Sequence, residues 1–397
     1  MTVRTLEDLA DQPLEGLRAL VRVDFNVPLR DGQVTDTTRI DAALPTIRWL
    51  RDRGCRVVLL SHLGRPDGRP TAALSLRPVA AALETALGQP VKLLEAPASE
   101  DAVRTTRTLR RGEVTLAENT RFEPGEETND PALADRFAAL GDFYVNDAFG
   151  SAHRAHSSTE GVARRLKPAV AGFLMARELA WLGDALARPP RPFVAILGGA
   201  KISGKIDVVE ALLPKVDHIL IGGAMACTFF RAMGLETGTS LVEEERLDMA
   251  RDLLERAGDK LVLPDGAVVA RAMTADAERR SVARDAIEPG WAMYDVDEPT
   301  RNRFAALITS ARTVLWNGPM GVFEMPPFDA GTVAVARAMA AATRKGATTI
   351  VGGGDSAAAL AQAGLASQVT HVSTGGGASL EFLEGKSLPG VVALDTR

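Results

Sequence analysis

Two sets of residues in this sequence have the types and spacing for phosphate chemistry, and they lie in different halves of the chain. In the first half, short β-rich runs end in charged and amide side chains: VRVDFNVP (21–28), VVLLSHLGRP (57–66), VTLAENTRF (114–122) and FYVNDAFGSAHR (143–154). Arg39, Arg65, Arg121 and Arg154 follow four separate predicted strands. Arginine takes phosphate or carboxylate with two parallel hydrogen bonds and its charge does not titrate away. One strand-end arginine is more often a solvated or locally paired charge; four of them point to a pocket for a small anion. Asp24 and Asn26 alternate with Val23, Phe25 and Val27, so the two-residue period of a strand puts both polar groups on one face. Alone, each would more often be a turn residue.

In the second half, similar runs end in glycine: FVAILGGAK (193–201), HILIGGAMA (218–226), TVLWNGPMG (313–321), TTIVGGGDS (348–356) and HVSTGGGAS (371–379). Bare backbone at strand tips suits a polyphosphate. GGAKISGKI (198–206) nearly spells a P-loop through Gly199, Gly204 and Lys205, but Ile206 stands where that motif needs Ser or Thr for magnesium. Only eight of the 46 basic residues are lysines, yet Lys201 and Lys205 lie four apart, which predicts a shared helix face. Two compact ammonium groups fit contact with a transferring phosphate; a solvated helix face is the plainer alternative. In TTIVGGGDSAAALA (348–361) a strand, a glycine loop and a helix start aim amides at phosphate oxygens. Asp355 becomes favourable beside phosphate when Mg2+ takes both kinds of oxygen, or it is simply an acid at a helix start. STGGGASLEFLEG (373–385) offers a second glycine-rich helix start. Glu324, after WNGPMGVF, is either an acceptor for ribose hydroxyls or a surface acid.

His62, His153 and His156 would serve as general bases only for a nucleophile that must lose a proton. A carboxylate nucleophile is already ionised at pH 7, with a pKa of ~3.5–4. Transfer to it rests on positioning and charge neutralisation. His62 therefore reads as a donor to substrate, and His153 and His156 as structural loop residues.

The elements that position these groups alternate strand, loop and helix. DAALPTIRWLRDRG (41–54), RPVAAALETALG (77–88) and PALADRFAALG (131–141) have helical period, and each ends in glycine. The alternation predicts an α/β chain whose parallel sheets carry helices on both faces and ligands at their strand tips. At 397 residues two domains are expected. Residues 174–188 predict a single connecting helix, with a hinge near 170–190. With 46% hydrophobic and 24% charged residues the chain is not disordered, and its net charge of −5 argues against nucleic acid or an anionic membrane as partner. Cys55 and Cys227 are too few for a disulfide framework or zinc site and fit a reducing cytoplasm. The start, MTVRTLEDLADQ, has acids where a signal peptide needs a basic and then an apolar stretch. No apolar run approaches the ~20 residues of a membrane span. Nothing marks an interface, so a monomer is the default.

RVDFNVP (22–28), SHLGRP (61–66), DAFGSAHRAH (147–156), AGFLMARE (171–178), GGAKISGKI, WNGPMGVFE (316–324), GGGDSAAA (352–359) and STGGGASLEFLEGK (373–386), in this order, resemble the phosphoglycerate kinases over nearly the whole chain. The resemblance implies two doubly wound parallel-sheet domains facing across a cleft and joined by an interdomain helix. Residues 1–172, with the tail 384–397, would bind phosphoglycerate, and residues 173–383 the nucleotide. It implies reversible transfer of the acyl phosphate of 1,3-bisphosphoglycerate to MgADP, giving 3-phosphoglycerate and MgATP, in glycolysis and gluconeogenesis. Its substrate contacts fall on Asp24, Asn26, Arg39, His62, Leu63, Gly64, Arg65, Arg121 and Arg154. Arg39, Lys201 and Gly376, the last within the amide-presenting run from Gly375 to Gly377, would stabilise the group in transfer. Lys205, Glu324, Gly353, Gly354, Asp355 and Ser356 would hold the nucleotide, Asp355 through Mg2+.

Two positions depart from the family pattern. Ala224 in IGGAMA and Asp297 in YDVDEPT stand where glycine is usual, both near the expected adenine site, where an added side chain is expected to crowd the base. Two other readings stay open. A P-loop NTPase leaves the N-terminal arginines unexplained, and a two-domain protein closing on a small anion has no use for Lys201, Lys205 and Asp355.

Overall fold

The computed structural model describes residues 3–397, with the side chains at positions 184 and 185 left aside. The chain divides into two compact units, Met1–Ala180 with Ser387–Arg397, and Trp181–Lys386.

The first unit contains strands β1 (Arg18–Arg22), β2 (Leu29–Arg30), β3 (Gln33–Val34), β4 (Arg56–Leu60), β5 (Val91–Leu94), β6 (Val114–Ala117), β7 (Phe143–Asn146) and β8 (Ala169–Ala171). β2 and β3 form a small antiparallel hairpin; the other six make one parallel sheet in the order β5-β6-β4-β1-β7-β8. β1, β6 and β7 are buried along their whole length. Burial on both faces is why they read as continuous apolar runs and not as alternation. Helices Thr38–Asp52, Arg77–Leu87, Glu100–Thr108 and Pro131–Ala138 connect the strands. Arg77–Leu87 stops at Gly88, φ +66°, a left-handed cap that favours glycine. Pro131–Ala138 starts behind Asp130, whose side chain accepts from Leu133 N at 2.8 Å. The C-terminal tail is tied to this sheet: Gly390 N donates to Ala152 O, and Gly390 O accepts from Asn146 Nδ2, each at 2.9 Å.

The second unit contains β9 (Phe193–Leu197), β10 (His218–Ile221), β11 (Leu261–Val262), β12 (Gly266–Ala270), β13 (Arg279–Ala283), β14 (Ala292–Val296), β15 (Thr313–Asn317), β16 (Thr348–Gly352) and β17 (His371–Val372). Six of them form a parallel sheet in the order β11-β10-β9-β15-β16-β17. The strand order reverses between β9 and β15, the kind of switch point at which open α/β sheets bind ligands. β13-β12-β14 form a separate antiparallel sheet, which the strand-loop-helix reading of the sequence did not contain. Two doubly wound parallel sheets are thus present, as expected.

The connecting helix differs from expectation. Residues 173–187 are one helical run, but α over Phe173–Leu179, π over Ala180–Asp184 and α again over Ala185–Ala187. The boundary of the two units falls inside the run, between Ala180 and Trp181.

Candidate active site

Four adjacent strands of the first sheet, β6, β4, β1 and β7, carry the predicted anion residues in the segments that follow them, with Arg39 in the first turn of the helix Thr38–Asp52. After β1 the backbone runs on beside the tip of β4: Val23 N donates to Leu60 O and Phe25 N to Ser61 Oγ, both at 2.9 Å. This places Asp24 beside His62, with Oδ1 to Nδ1 at 4.0 Å. Asp24 Oδ2 accepts from Arg39 Nη1 at 2.5 Å. Burial works to raise the Asp24 pKa, but the guanidinium charges of Arg39 and Arg22, together with the backbone bond from Asn26, help to hold the carboxyl below its usual value. Asn26 is exposed and its Oδ1 accepts from Gly64 N at 2.9 Å, while Gly64 O accepts from Arg121 Nη1 at 2.7 Å. Hydrogen bonds thus join Asp24 to Arg39, and Asn26 through Gly64 to Arg121. Arg121 is 6% exposed, pairs with Glu127 at 3.2 Å, and leaves Nε without a partner among the described residues. Arg65 and Arg154 are exposed on the same loops, and Arg154 Nε lies 3.1 Å from His153 Nε2. Leu63 is buried, with N donating to Asn119 Oδ1 at 3.2 Å and O accepting from Asn119 Nδ2 at 2.7 Å. Its backbone is taken up in holding the loop.

In the second sheet, the tips of β9, β15 and β16 carry the lysines, Asn317 and the glycine loop. Lys205 Nζ donates to Asn317 Oδ1 and lies 3.4 Å from Asn317 O. Burial pushes the Lys205 ammonium down to about 8, partly offset by Asp355. Gly353, φ +86°, caps the helix Gly354–Gln362, in which Asp355 is exposed at the second position. Ser356 is buried, and its hydroxyl accepts from Gly318 N at 2.6 Å, so this side chain braces the loop after β15. Gly376 caps the helix Gly377–Leu383, and Glu324 is exposed in a turn.

Two expectations fail here. Lys201 and Lys205 do not share a helix face: Lys201 is exposed in a loop, and the helix Ile206–Leu212 begins only after Lys205. Most strand-end glycines do not offer bare backbone to a ligand either. A side chain at Gly198 would strike the Pro319 carbonyl, one at Gly223 the Gly199 backbone, and one at Gly318 the Gly198 carbonyl. The loops pack on each other, with Gly199 N donating to Pro319 O and Gly223 N to Met320 O, both at 2.9 Å. Open space lies instead at Gly204, Gly354 and Gly376, where an added Cβ would meet nothing within 4 Å.

The family model for phosphoglycerate kinase matches residues 9–386. Phosphoglycerate kinases of Chloroflexus aurantiacus and Chlorobium phaeovibrioides are 57% identical over 403 residues and 55% identical over 399, covering 99% and 100% of both chains in each pair. The chain belongs to the phosphoglycerate kinase family. Solved phosphoglycerate kinase structures from Coxiella burnetii and Pyrococcus horikoshii match it with TM-scores of 0.88 and 0.86, at 42% and 31% identity, over 97% and 98% of both chains.

For a phosphoglycerate kinase the sequence reading passed over four residues. Arg22 is 1% exposed; Nε donates to Ser158 Oγ at 2.9 Å and Nη2 lies 3.1 Å from His62 Nδ1. Behind it, buried Glu126 accepts from Ser158 Oγ at 2.5 Å and Ser158 N at 2.9 Å. A charge inside the apolar run VRV was the available signal for Arg22. Asn317, the polar end of an apolar strand, was legible in the same way. Glu126, and Glu243, whose carboxylate accepts from Ile202 N and Ser203 Oγ beside the lysines, have no local signal, because their partners are distant in sequence.

The two departures from the family pattern have different local roles. Ala224 is the N-cap position of the helix Met225–Ala232, at φ −63°. Asp297 is 6% exposed and caps the helix Glu298–Ser310: Oδ1 accepts from Thr300 N at 3.0 Å and from Thr300 Oγ1 at 2.5 Å. Its Oδ1 is engaged in capping the helix, a local role that the sequence pattern did not show.

The donor set also bears on the metal. No group of three or more His, Cys, Asp or Glu side chains that could hold a metal ion occurs among the described residues. Asp355, exposed at a helix start, fits an ion that arrives on phosphate oxygens and takes one protein carboxylate.

Proposed function

We propose that this kinase transfers the acyl phosphate of 1,3-bisphosphoglycerate reversibly to MgADP, giving 3-phosphoglycerate and MgATP in glycolysis and gluconeogenesis. The first unit with its returning tail binds phosphoglycerate, and the second binds the nucleotide. The observation that carries this reading is the presence of two unlike sites: Arg39 bonded to Asp24, and Arg121 linked through Gly64 to Asn26, on one sheet, and Lys205, Asn317 and the Gly353–Asp355 helix start on the other.

Asp24 and Asn26 orient the substrate hydroxyl and carboxyl end. Arg65, Arg121 and Arg154 take its phosphate, and His62 donates a hydrogen bond. A terminal phosphate oxygen of ADP attacks the acyl phosphorus; the bond from phosphorus to the carboxylate oxygen breaks, and the carboxylate leaves ionised. No proton moves, so no base is needed. Arg39, Lys201 and the open backbone at Gly376 offset the charge that spreads over the phosphoryl oxygens. Lys205, Gly353 and Gly354 hold nucleotide phosphates, Ser356 braces that loop, and Glu324 accepts from the ribose. Asp355, together with nucleotide phosphate, would hold Mg2+, which when bound would supply charge neutralisation.

In-line transfer needs reacting atoms ~3–3.5 Å apart, so the units close on each other about the helical run 173–187. The enzyme acts as a monomer in the cytoplasm, in keeping with two buried, unpaired cysteines. Among the described residues no helix is long and apolar enough to cross a membrane. A coupled assay with 3-phosphoglycerate and MgATP tests the reading. ADP release should require both substrates; folded protein that hydrolyses ATP without 3-phosphoglycerate, or turns over neither, refutes it.

A further inference from the structure

Glu243 lies outside every sequence motif, yet it is only 7% exposed. Its Oε2 accepts from Ile202 N at 2.6 Å and Ser203 N at 3.1 Å, and its Oε1 from Ser203 Oγ at 2.5 Å. Its own N–H donates to Thr228 Oγ1 at 3.1 Å, which ties it to the helix Met225–Ala232. All of its side-chain bonds land between Lys201 and Lys205. Burial works to raise its pKa, but the bonds from Ser203 and Ile202 and the charge of Lys201 outweigh it, leaving the carboxyl below its usual value.

The amides of Ile202 and Ser203 are the donors that a P-loop would turn toward phosphate. Here a protein carboxylate takes them, with charge-assisted bonds. Held this way, the turn stays out of the helix, which starts at Ile206. Lys201 is left exposed while Lys205 turns inward to Asn317.

We propose that Glu243 is a positioning residue for phosphoryl transfer: by clamping the Ile202–Ser203 turn it sets where Lys201 and Lys205 point, and it keeps phosphate out of that turn. The proposal rests on the roles given above to Lys201 and Lys205.

Kinetics of the wild type, Glu243→Ala, Glu243→Gln, Ser203→Ala and the Glu243→Gln/Ser203→Ala double variant test it, together with amide NMR. Glu243→Ala should lower kcat by ~10-fold or more, since small misplacements of reacting groups are costly. KM for 3-phosphoglycerate, a property of the other unit, should stay within about twofold. Glu243→Gln keeps an acceptor oxygen and should recover part of the loss. The double variant should fall no further than Glu243→Gln alone, because both changes break one contact. The amide protons of Ile202 and Ser203, downfield in the wild type, should move upfield in Glu243→Ala. An unchanged kcat in folded Glu243→Ala overturns the proposal, as does a loss that follows melting temperature with no amide shift. A wild type without turnover would refute the kinase reading instead, and the amide shifts would still show whether Glu243 holds the turn.

Discussion

The guanidinium of Arg22 lies 3.1 Å from Nδ1 of His62, with both side chains buried. Arginine cannot accept a hydrogen bond, so Nδ1 is the acceptor and the ring proton sits on Nε2. Burial pushes the imidazole pKa down to about 3, opposed by Asp24 and helped by Arg22, Arg121 and Arg39. His62 is thus a neutral donor at any pH where the enzyme works. Nitrogen NMR should show Nε2 protonated and Nδ1 bare from pH 5 to 8, and kcat should carry no histidine ionisation in that range. A His62 ring that titrates near its ordinary value of ~6.5 would contradict this.

Charge stabilisation in place of base catalysis has a kinetic signature. Arg39→Ala and Lys201→Ala should each lower kcat by ~10²-fold or more, because their charge is felt mainly in the transition state. His153→Gln and His156→Gln should do far less. A comparable loss from either histidine change in folded protein would mean that a proton does move.

Lys205 ties nucleotide binding to pH. Its folded value of about 8 means that the ammonium is present below that pH and lost as pH rises through it. The kcat/KM for MgATP, which reports the free enzyme, should therefore decline above pH 8. Lys205→Arg, whose charge persists, should flatten the decline. If the limb is unchanged in Lys205→Arg, another group is responsible.

Asp147, at the tip of β7, accepts from Leu174 N at 2.9 Å and Met175 N at 3.2 Å. Burial raises its pKa to about 6, against the pull of Thr46, Met175 and Leu174. The folded protein then holds a proton that the unfolded chain releases near ~3.9. Its contribution to stability is full below that value and is lost as pH rises through 6. Asp147→Asn keeps the acceptor oxygen without the charge. Its unfolding free energy, relative to wild type, should rise by about 1 kcal/mol from pH 5 to pH 8. Urea denaturation at the two pH values decides it, and a constant difference would show that the charge is not the cause.

The cap made by Asp297 gives this residue a role in stability, which sets a different prediction for nucleotide affinity from the one the sequence pattern implied. Asp297→Ala should cost about 1 kcal/mol of stability and Asp297→Gly only a few tenths, as for other helix caps. Calorimetry should find MgADP affinity within about twofold of wild type in Asp297→Gly, since the cap and a ligand contact are separate. Tighter binding in Asp297→Gly would restore the crowding reading.

What the sequence by itself determined follows from patterns that act locally. Runs such as FVAIL and TVLWN had to be strands buried on both faces, and the helices ending at Gly54 and Gly88 announced their own stops. Phosphate-binding residue types at the strand tips were legible for the same reason: a parallel sheet brings all its carboxyl ends to one edge. Local pattern could not say what each tip does. A glycine marks close approach of backbone, and Gly198 and Gly318 use it against each other, while Gly354 and Gly376 leave it open. Spacing put Lys201 and Lys205 on one helix face, but a carboxylate 40 residues downstream claims the amides of the turn between them. Arg22 and Glu126 meet through Ser158, and no periodicity in the sequence records that. Tertiary structure decided these roles because a buried polar group must find its partner wherever the fold supplies one.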